Sequence, residues 1–581
     1  MEVGNIYTKK KARISLVVLF LSTIILSLVP VTQTLKKGEY KSVPPAYVDD
    51  DIYYYGRMKE VADGYPFISN PYFMEYRDSK PGVFFVADWL AATPLILGIP
   101  FSLVIVFNLV FWSLLFVFLA YLLIRAADMP PPLSVGLALV AYCEVYWLIF
   151  RPVVMQEVFP FFLFFLLALF WWLRNPLRRS LIWLLIIVSA SSFYIYTFLW
   201  QIIFATLGIV FIHMFGQKKG LEIKALLWVA FGTCIFSLPA IIYTIYQIQS
   251  PFYWETVSRM NMVESYLPSL DAYHYGRWAV ILTILYICLQ KWFKNNFSGN
   301  DFMMKLVIYS GLALIIASIS NIFIGKDLSI GQHIGRFITL WIALFLPILL
   351  WKLWIYRKET LRLHWLKLSI IGLLSLLCLG FLLLNLKRSL PFQEIATTDI
   401  TTVQDYAAPL NWLEQREKQS VVIWANSNIS MYVPILTKHY VFWAPAGGLF
   451  FMPTKEVEDR FLASQIKILT TDEMIASYKT FEGSGVFSRY SDALNKNHLS
   501  CLLGRECQPD QNLREWIGTA KLEYLFKRQS KLKEDTSAIV EQYHVSYIIA
   551  DASKGEDKYF RSLLGAKEVW RNNRFIIYEI K

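Results

Sequence analysis

Apolar residues in this chain run in long unbroken blocks instead of alternating with polar ones. Eleven blocks read as membrane-spanning helices: 14–31, 100–124, 133–150, 156–173, 181–198, 199–215, 225–246, 278–289, 304–324, 337–354 and 366–386. About 20 consecutive apolar residues cross the hydrocarbon core as a helix. The block 278–289 is the shortest. A further stretch, 83–99 (VFFVADWLAATPLILGI), is apolar but short, and Asp88 and Pro94 interrupt it. It either crosses the bilayer or lies along the surface as an interfacial helix.

After residue 386 the pattern changes. Charges become frequent, and short β-rich runs (SVVIWA, SYIIAD, RFIIYEI) alternate with helical patterns such as TKEVEDRFLASQIKIL. A region of that length can hold its own core. The expected architecture is a polytopic α-helical membrane protein with about eleven transmembrane helices over 1–386, followed by a soluble α/β domain over 387–581.

Charge chooses between the two readings of 83–99. If this stretch lies on the surface, every short loop on the N-terminal side of the membrane is basic. These loops are the KKKAR start, Arg125, RNPLRR, GQKKG, Lys291 with Lys294, and Lys352 with YRKETLR. If 83–99 crosses, RNPLRR, GQKKG and YRKETLR move to the other side. Lys and Arg concentrate in cytoplasmic loops, which favours the surface helix. The N-terminus is then cytoplasmic and the first block is an uncleaved helix in the cell (plasma or inner) membrane. The loop 32–99, the segments near 151–157, 194–201, 247–277 and 325–336, and the region 387–581 all lie outside.

Composition agrees. The chain is 56% hydrophobic and only 17% charged, against about 25% charged in ordinary soluble domains. The net charge of +12 is accounted for by the basic loops, so no nucleic-acid partner is expected. Four of the six cysteines sit in apolar segments, while Cys501 and Cys507 stand in the polar CLLGREC. In an oxidising compartment they form a disulfide; otherwise they are two free thiols.

The chemistry-bearing residues cluster in the outside loops. YVDDDIYYYGRMKEVADG places Asp49, Asp50 and Asp51 ahead of a helical pattern. Acidic side chains suit a helix N-terminus, and a carboxylate held there can serve as a general base or take a cation. The bland alternative is a solvated polar turn. The loop ends in SKPGVFFVADWL, and the next outside segment is FRPVVMQEVFPFF with Arg151 and Glu157. Arg151 reads as an ordinary interfacial charge, with phosphate contact as the alternative. The last loop, GKDLSIGQHIGRFITLW, carries His333 and Arg336 about one turn apart; a guanidinium there can grip a phosphate through paired hydrogen bonds. No Walker loop, dinucleotide fingerprint, CxxC pair, His-Glu-x-x-His run or G-x-S-x-G elbow is present.

DDIYYYGRMKEVADG, an acidic pair followed by aromatics and a glycine in the first outside loop, resembles the GT-C superfamily of membrane glycosyltransferases, which use polyprenyl-phosphate sugars. The nearest branches are the protein O-mannosyltransferases and lipid A aminoarabinose transferases. The resemblance covers 1–386 in arrangement and is specific mainly in the first loop. Lys80-Pro81 matches part of that group's Lys-Pro-Pro, and Gly82 departs from it. The resemblance implies an inverting hexosyl- or pentosyltransferase that moves sugar from a polyprenyl-phosphate donor to an extracytoplasmic acceptor of unknown identity. Asp50 or Asp51 would be the base and Glu157 a second acid. Lys80, Arg336 and His333 would face the lipid phosphate, and Tyr54 and Tyr55 the sugar. No cofactor is expected; Mg or Mn on Asp50 and Asp51 is the metal-dependent variant. Competing readings are a lipid-linked sugar transporter or flippase, a glycan polymerase or ligase using His274 and Arg277, and a non-catalytic scaffold.

Overall fold

A computed structural model describes residues 2–38, 40–47, 50–82, 84–292, 301–327, 330–355, 365–389, 400–505, 507–562 and 566–580. Asp49, which left the motif register ambiguous, lies outside the described residues, as do Lys294 and the whole basic loop 356–364.

The first part of the chain is helical. In order it forms α1 Glu2–Lys37, α2 Asp51–Ala62, α3 Val86–Ile96, α4 Phe101–Arg125, α5 Pro131–Glu144, α6 Tyr146–Ile149, α7 Met155–Arg174 and α8 Arg179–Ile195. It continues with α9 Leu199–Gly216, α10 Gly220–Ile248, α11 Tyr253–Arg259, α12 Leu270–Trp292, α13 Phe302–Ser318, α14 Asn321–Ile324, α15 Ile330–Ile355 and α16 Trp365–Ser389. Among the described residues, eight helices are long and apolar enough to cross a membrane: α1, α4, α7, α9, α10, α12, α15 and α16. Only a helix or closed barrel satisfies its own backbone in hydrocarbon, so the apolar blocks have little other choice of structure.

Three expected spans fall on shorter elements. The block 133–150 divides into α5 and α6, 181–198 ends with α8 at Ile195, and 304–324 divides into α13 and α14. The short block 278–289, by contrast, is the middle of α12, which runs from Leu270 to Trp292. Polar Tyr273, His274 and Arg277 hid its first turns from a hydropathy reading.

Helix α7 is the bundle's axis, with Phe162, Phe165, Leu166 and Trp172 shut off from solvent. Some polar groups in the interior are paired: Trp341 Nε1 donates to Ser310 Oγ at 2.8 Å, and the Tyr286 hydroxyl to the Phe345 carbonyl at 2.6 Å. Peripheral α10 and α16 instead leave Trp228, Phe231, Ile242, Leu373 and Leu376 exposed, an apolar surface of the kind lipid covers.

The C-terminal region carries a five-stranded sheet of order β4-β3-β5-β7-β6. Its strands are β3 Val422–Ala425, β4 Tyr440–Val441, β5 Val545–Asp551, β6 Ala566–Arg571 and β7 Phe575–Ile580; the short β1 Val263–Glu264 and β2 Lys326–Asp327 pair elsewhere. Strands β4, β3 and β5 run parallel, and β7 and β6 antiparallel. The apolar runs VVIWA and SYIIAD suit strands covered on both faces. This region packs on one end of the bundle. The Val441 amide donates to the Tyr72 carbonyl at 2.8 Å, and fully buried Arg460 reaches Glu75 at 2.8 Å.

Candidate functional site

Helix α2 starts where the carboxylates stop. Asp50 takes the N-cap position and Asp51 the first turn. Their side chains part company there. Asp51 turns inward and its Oδ2 accepts the Tyr47 amide at 2.7 Å, tying the preceding loop to the helix. Asp50 stays half exposed and forms an ion pair with Arg151 from the loop before α7. Two carboxylates aimed at different partners do not form a chelate, and among the described residues no group of three His, Cys, Asp or Glu side chains is placed to hold a metal.

Helical spacing does the next sorting. Tyr53, Tyr54 and Arg57 share a face of α2 and line a cavity of about 300 Å³. Tyr55 points the other way. It packs on Phe101 and its hydroxyl donates to the Pro45 carbonyl at 3.4 Å, and it does not line the cavity.

The cavity draws on six further segments: Gly82, Phe84 and Ala87 around the start of α3; Arg151, Val153 and Val154 before α7; Tyr196 and Phe198 between α8 and α9; Gln247 at the end of α10; Met260 and Met262 after α11; and His333 with Arg336 at the start of α15. Phe451 of the C-terminal region closes it. Val153 holds φ at +65°, an outlier for a β-branched residue and a conformation that tends to occur at functional sites.

Three guanidinium groups and an imidazole face this small space. Arg57 is compensated: its Nη2 meets Asp88 Oδ2 at 2.5 Å and donates to the Phe84 carbonyl at 3.0 Å. Burial pushes the Asp88 carboxyl up to about 6 even with Arg57 pulling it down. Arg151 stacks 5.6 Å from the Tyr54 ring centroid, and burial together with the facing Arg336 lowers its guanidinium to about 10. Arg336 is hydrogen-bonded to the Tyr196 hydroxyl, and His333 packs against Phe198 with ring centroids 4.7 Å apart. Arg151 Nε, Arg336 Nη1 and His333 Nδ1 are buried with no hydrogen-bond partner. A buried unpaired polar group costs about 1–3 kcal/mol, more if charged, so such groups around one void match a site for an anion.

Two expected residues stand apart. The Lys80 ammonium lies over the Tyr246 ring, 4.3 Å from its centroid, and faces the Tyr246 carbonyl at 3.4 Å. Its backbone neighbour Gly82 lines the cavity, but the charge does not. Glu157 is fully buried in the first turn of α7, neighbours Asp88, and both its carboxylate oxygens lack a hydrogen-bond partner. It stands behind the wall, not in it.

Sequence reasoning missed Arg57 and Tyr196 and ranked Arg151 as a surface charge. Arg57 had a signal, because it follows Tyr53 and Tyr54 at helical spacing. Tyr196 had none. His274 and Arg277, the pair a polymerase or ligase would use, contact each other at 3.2 Å on the exposed side of α12, and neither lines the cavity. No protein-family model matches the chain, and neither does any curated protein sequence.

Proposed function

We propose that the protein is an inverting glycosyltransferase of the GT-C type, moving a sugar from a polyprenyl-phosphate donor to an acceptor outside the cytoplasm. The observation that carries this reading is the convergence of Arg151, Arg336 and His333, with unpaired buried donors, on one cavity, together with the Asp50 carboxylate paired to Arg151.

The donor is a phosphodiester with one negative charge. Its phosphate sits between Arg336 and Arg151, whose guanidiniums can bind it through charge-assisted hydrogen bonds. Tyr53 and Tyr54 offer ring faces and hydroxyls to the sugar. An acceptor hydroxyl attacks the anomeric carbon, its proton passes to Asp50, and the bond from the anomeric carbon to the phosphate oxygen breaks. The lipid leaves as a phosphate monoester, whose added charge the two guanidiniums stabilise. One displacement inverts the anomeric centre. Asp50 is the base in preference to Asp51, which is committed to the Tyr47 amide.

Three further features support the orientation. The cavity is lined from the segments that the charge pattern assigns to the outside face. Helix α3 lies beside α2 through the Arg57–Asp88 pair, as an interfacial helix would. Cys501 and Cys507 are joined in a disulfide, which belongs in an oxidising compartment. The region 387–581 is then an extracytoplasmic α/β domain.

The test is transfer from radiolabelled polyprenyl-phosphate hexoses and pentoses in membranes, comparing wild type with Asp50→Asn and Arg336→Ala. Loss of transfer in both, with the protein still folded, supports the reading. Wild-type turnover by both variants across the donor panel sinks it and favours a lipid-linked sugar transporter.

A further inference from the structure

The anion cavity is not a closed end. Val257 and Met262 line it and also line a second void of about 620 Å³, and Val263 and Asp492 line that void and a third of about 430 Å³. Shared wall residues place the three voids in series, from the Arg336 cavity outward between the 249–271 loop and the helix Gly485–Leu502 of the C-terminal region, along a line called the groove below.

The groove is built to hold its shape. Arg259 is buried in the seam and donates to the Gly448 and Met452 carbonyls at 3.1 and 2.9 Å and to Thr454 Oγ1 at 2.7 Å. A Cβ at Gly485 would stand 1.8 Å from the Ser258 carbonyl oxygen, so the helix approaches the loop as closely as only glycine allows. Strands β1 and β2 pair antiparallel and fix the loop's far side.

Its chemistry changes along its length. The inner end is cationic. The middle void mixes Glu264 with Lys326 and Arg489, and the outer void has three carboxylates, Asp271, Asp327 and Asp492, against one ammonium, Lys479, with Asp492 also paired to Lys496 at 2.7 Å. Between these charges stand Asn261, Ser269, Ser488, Ser491 and Asn495. Residues 488, 491, 492 and 495 fall on one face of their helix. Trp254, 55% exposed, lines the middle void. Hydroxyls, amides and carboxylates are donors and acceptors that match a polyol's own; the Trp254 ring beside them carries the Lys326 ammonium 4.6 Å from its centroid. The outer negative charge opposes a phosphorylated or sulfated chain.

We infer that this groove binds the acceptor, and that the acceptor is a neutral or amino-bearing oligosaccharide. This rests on the glycosyltransferase reading above, with the glycan's reactive end directed to Asp50.

The test uses the full chain in detergent. Immobilised cello-, malto- and chito-oligosaccharides, a chitosan oligomer, a heparin oligomer and a Ser/Thr-rich peptide serve as probes. The proteins are wild type, Ser491→Trp, which fills the groove, and Asn495→Leu, a milder change. Polyprenyl phosphate binding is read separately. The inference expects a neutral or amino glycan to bind wild type, affinity to fall about tenfold or more in Ser491→Trp and measurably in Asn495→Leu, and polyprenyl phosphate binding to be unchanged. It is overturned if no neutral or amino glycan binds, if both variants bind as wild type does, or if heparin or the peptide is the ligand retained. Failure of wild type to bind polyprenyl phosphate would instead strike the donor assignment, so the two failures are distinguishable.

Discussion

Asp50 and Arg151, a residue that lines the cavity, join in an ion pair that links the start of α2 to the loop before α7. On the proposed function, the carboxylate and the donor phosphate would compete for one guanidinium. Donor arrival would draw Arg151 away and leave Asp50 free to take a proton. In Asp50→Asn the competitor is gone. Affinity for polyprenyl phosphate should rise a few-fold, while transfer falls by about 10²–10⁴, the usual range for a lost general base. Parallel binding and turnover assays on one preparation would check this; a fall in both together would point to misfolding.

Arg336 is the second prediction. Its Nη1 is buried without a partner while the Tyr196 hydroxyl holds the guanidinium. Arg336→Ala should weaken polyprenyl phosphate binding by about 1.5–3 kcal/mol, the range for a hydrogen bond to a charged group. Arg336→Lys should recover only part, because an ammonium has no planar fork. Titration of the lipid phosphate into each variant would measure the order.

Asp88 sets a pH dependence. Burial pushes its carboxyl up to about 6 in the folded chain, from an ordinary 3.8. Between these values the folded state holds a proton that the unfolded state has lost. Stability from this group is therefore present below about pH 4 and is lost as pH rises to about 6, a change on the order of 3 kcal/mol. Thermal unfolding in detergent from pH 4 to 7 should show a steeper decline in wild type than in Asp88→Asn; parallel curves would refute it.

Arg259 should hold the C-terminal region on the bundle. It is 2% exposed and its donors go to carbonyls and hydroxyls across the seam. Arg259→Ala leaves those acceptors unpaired and should cost about 3 kcal/mol. Faster hydrogen exchange along both 253–262 and 447–454 would be the readout.

Orientation has its own check. If Cys501 and Cys507 face an oxidising compartment, a membrane-impermeant maleimide added to intact cells should label neither. After mild reduction from outside it should label both. Labelling without reduction would remove the disulfide from the argument.

The sequence by itself determined the helical membrane architecture, because long apolar blocks leave the backbone one way to satisfy its hydrogen bonds in lipid. It also located α2, three strands of the C-terminal sheet, and the segments that meet at the site. Tertiary structure decided which side chains those segments present. Asp50 and Asp51 are neighbours in sequence, yet one pairs with Arg151 and the other with the Tyr47 amide. Lys80 and Glu157 carry suitable charges, but packing aims one at Tyr246 and shuts the other behind the wall beside Asp88. Arg57 and Tyr196 entered the site through the turn of α2 and the junction of α8 with α9. Local pattern constrains where a residue sits along an element; only the packing of elements distant in sequence fixes what its charge meets.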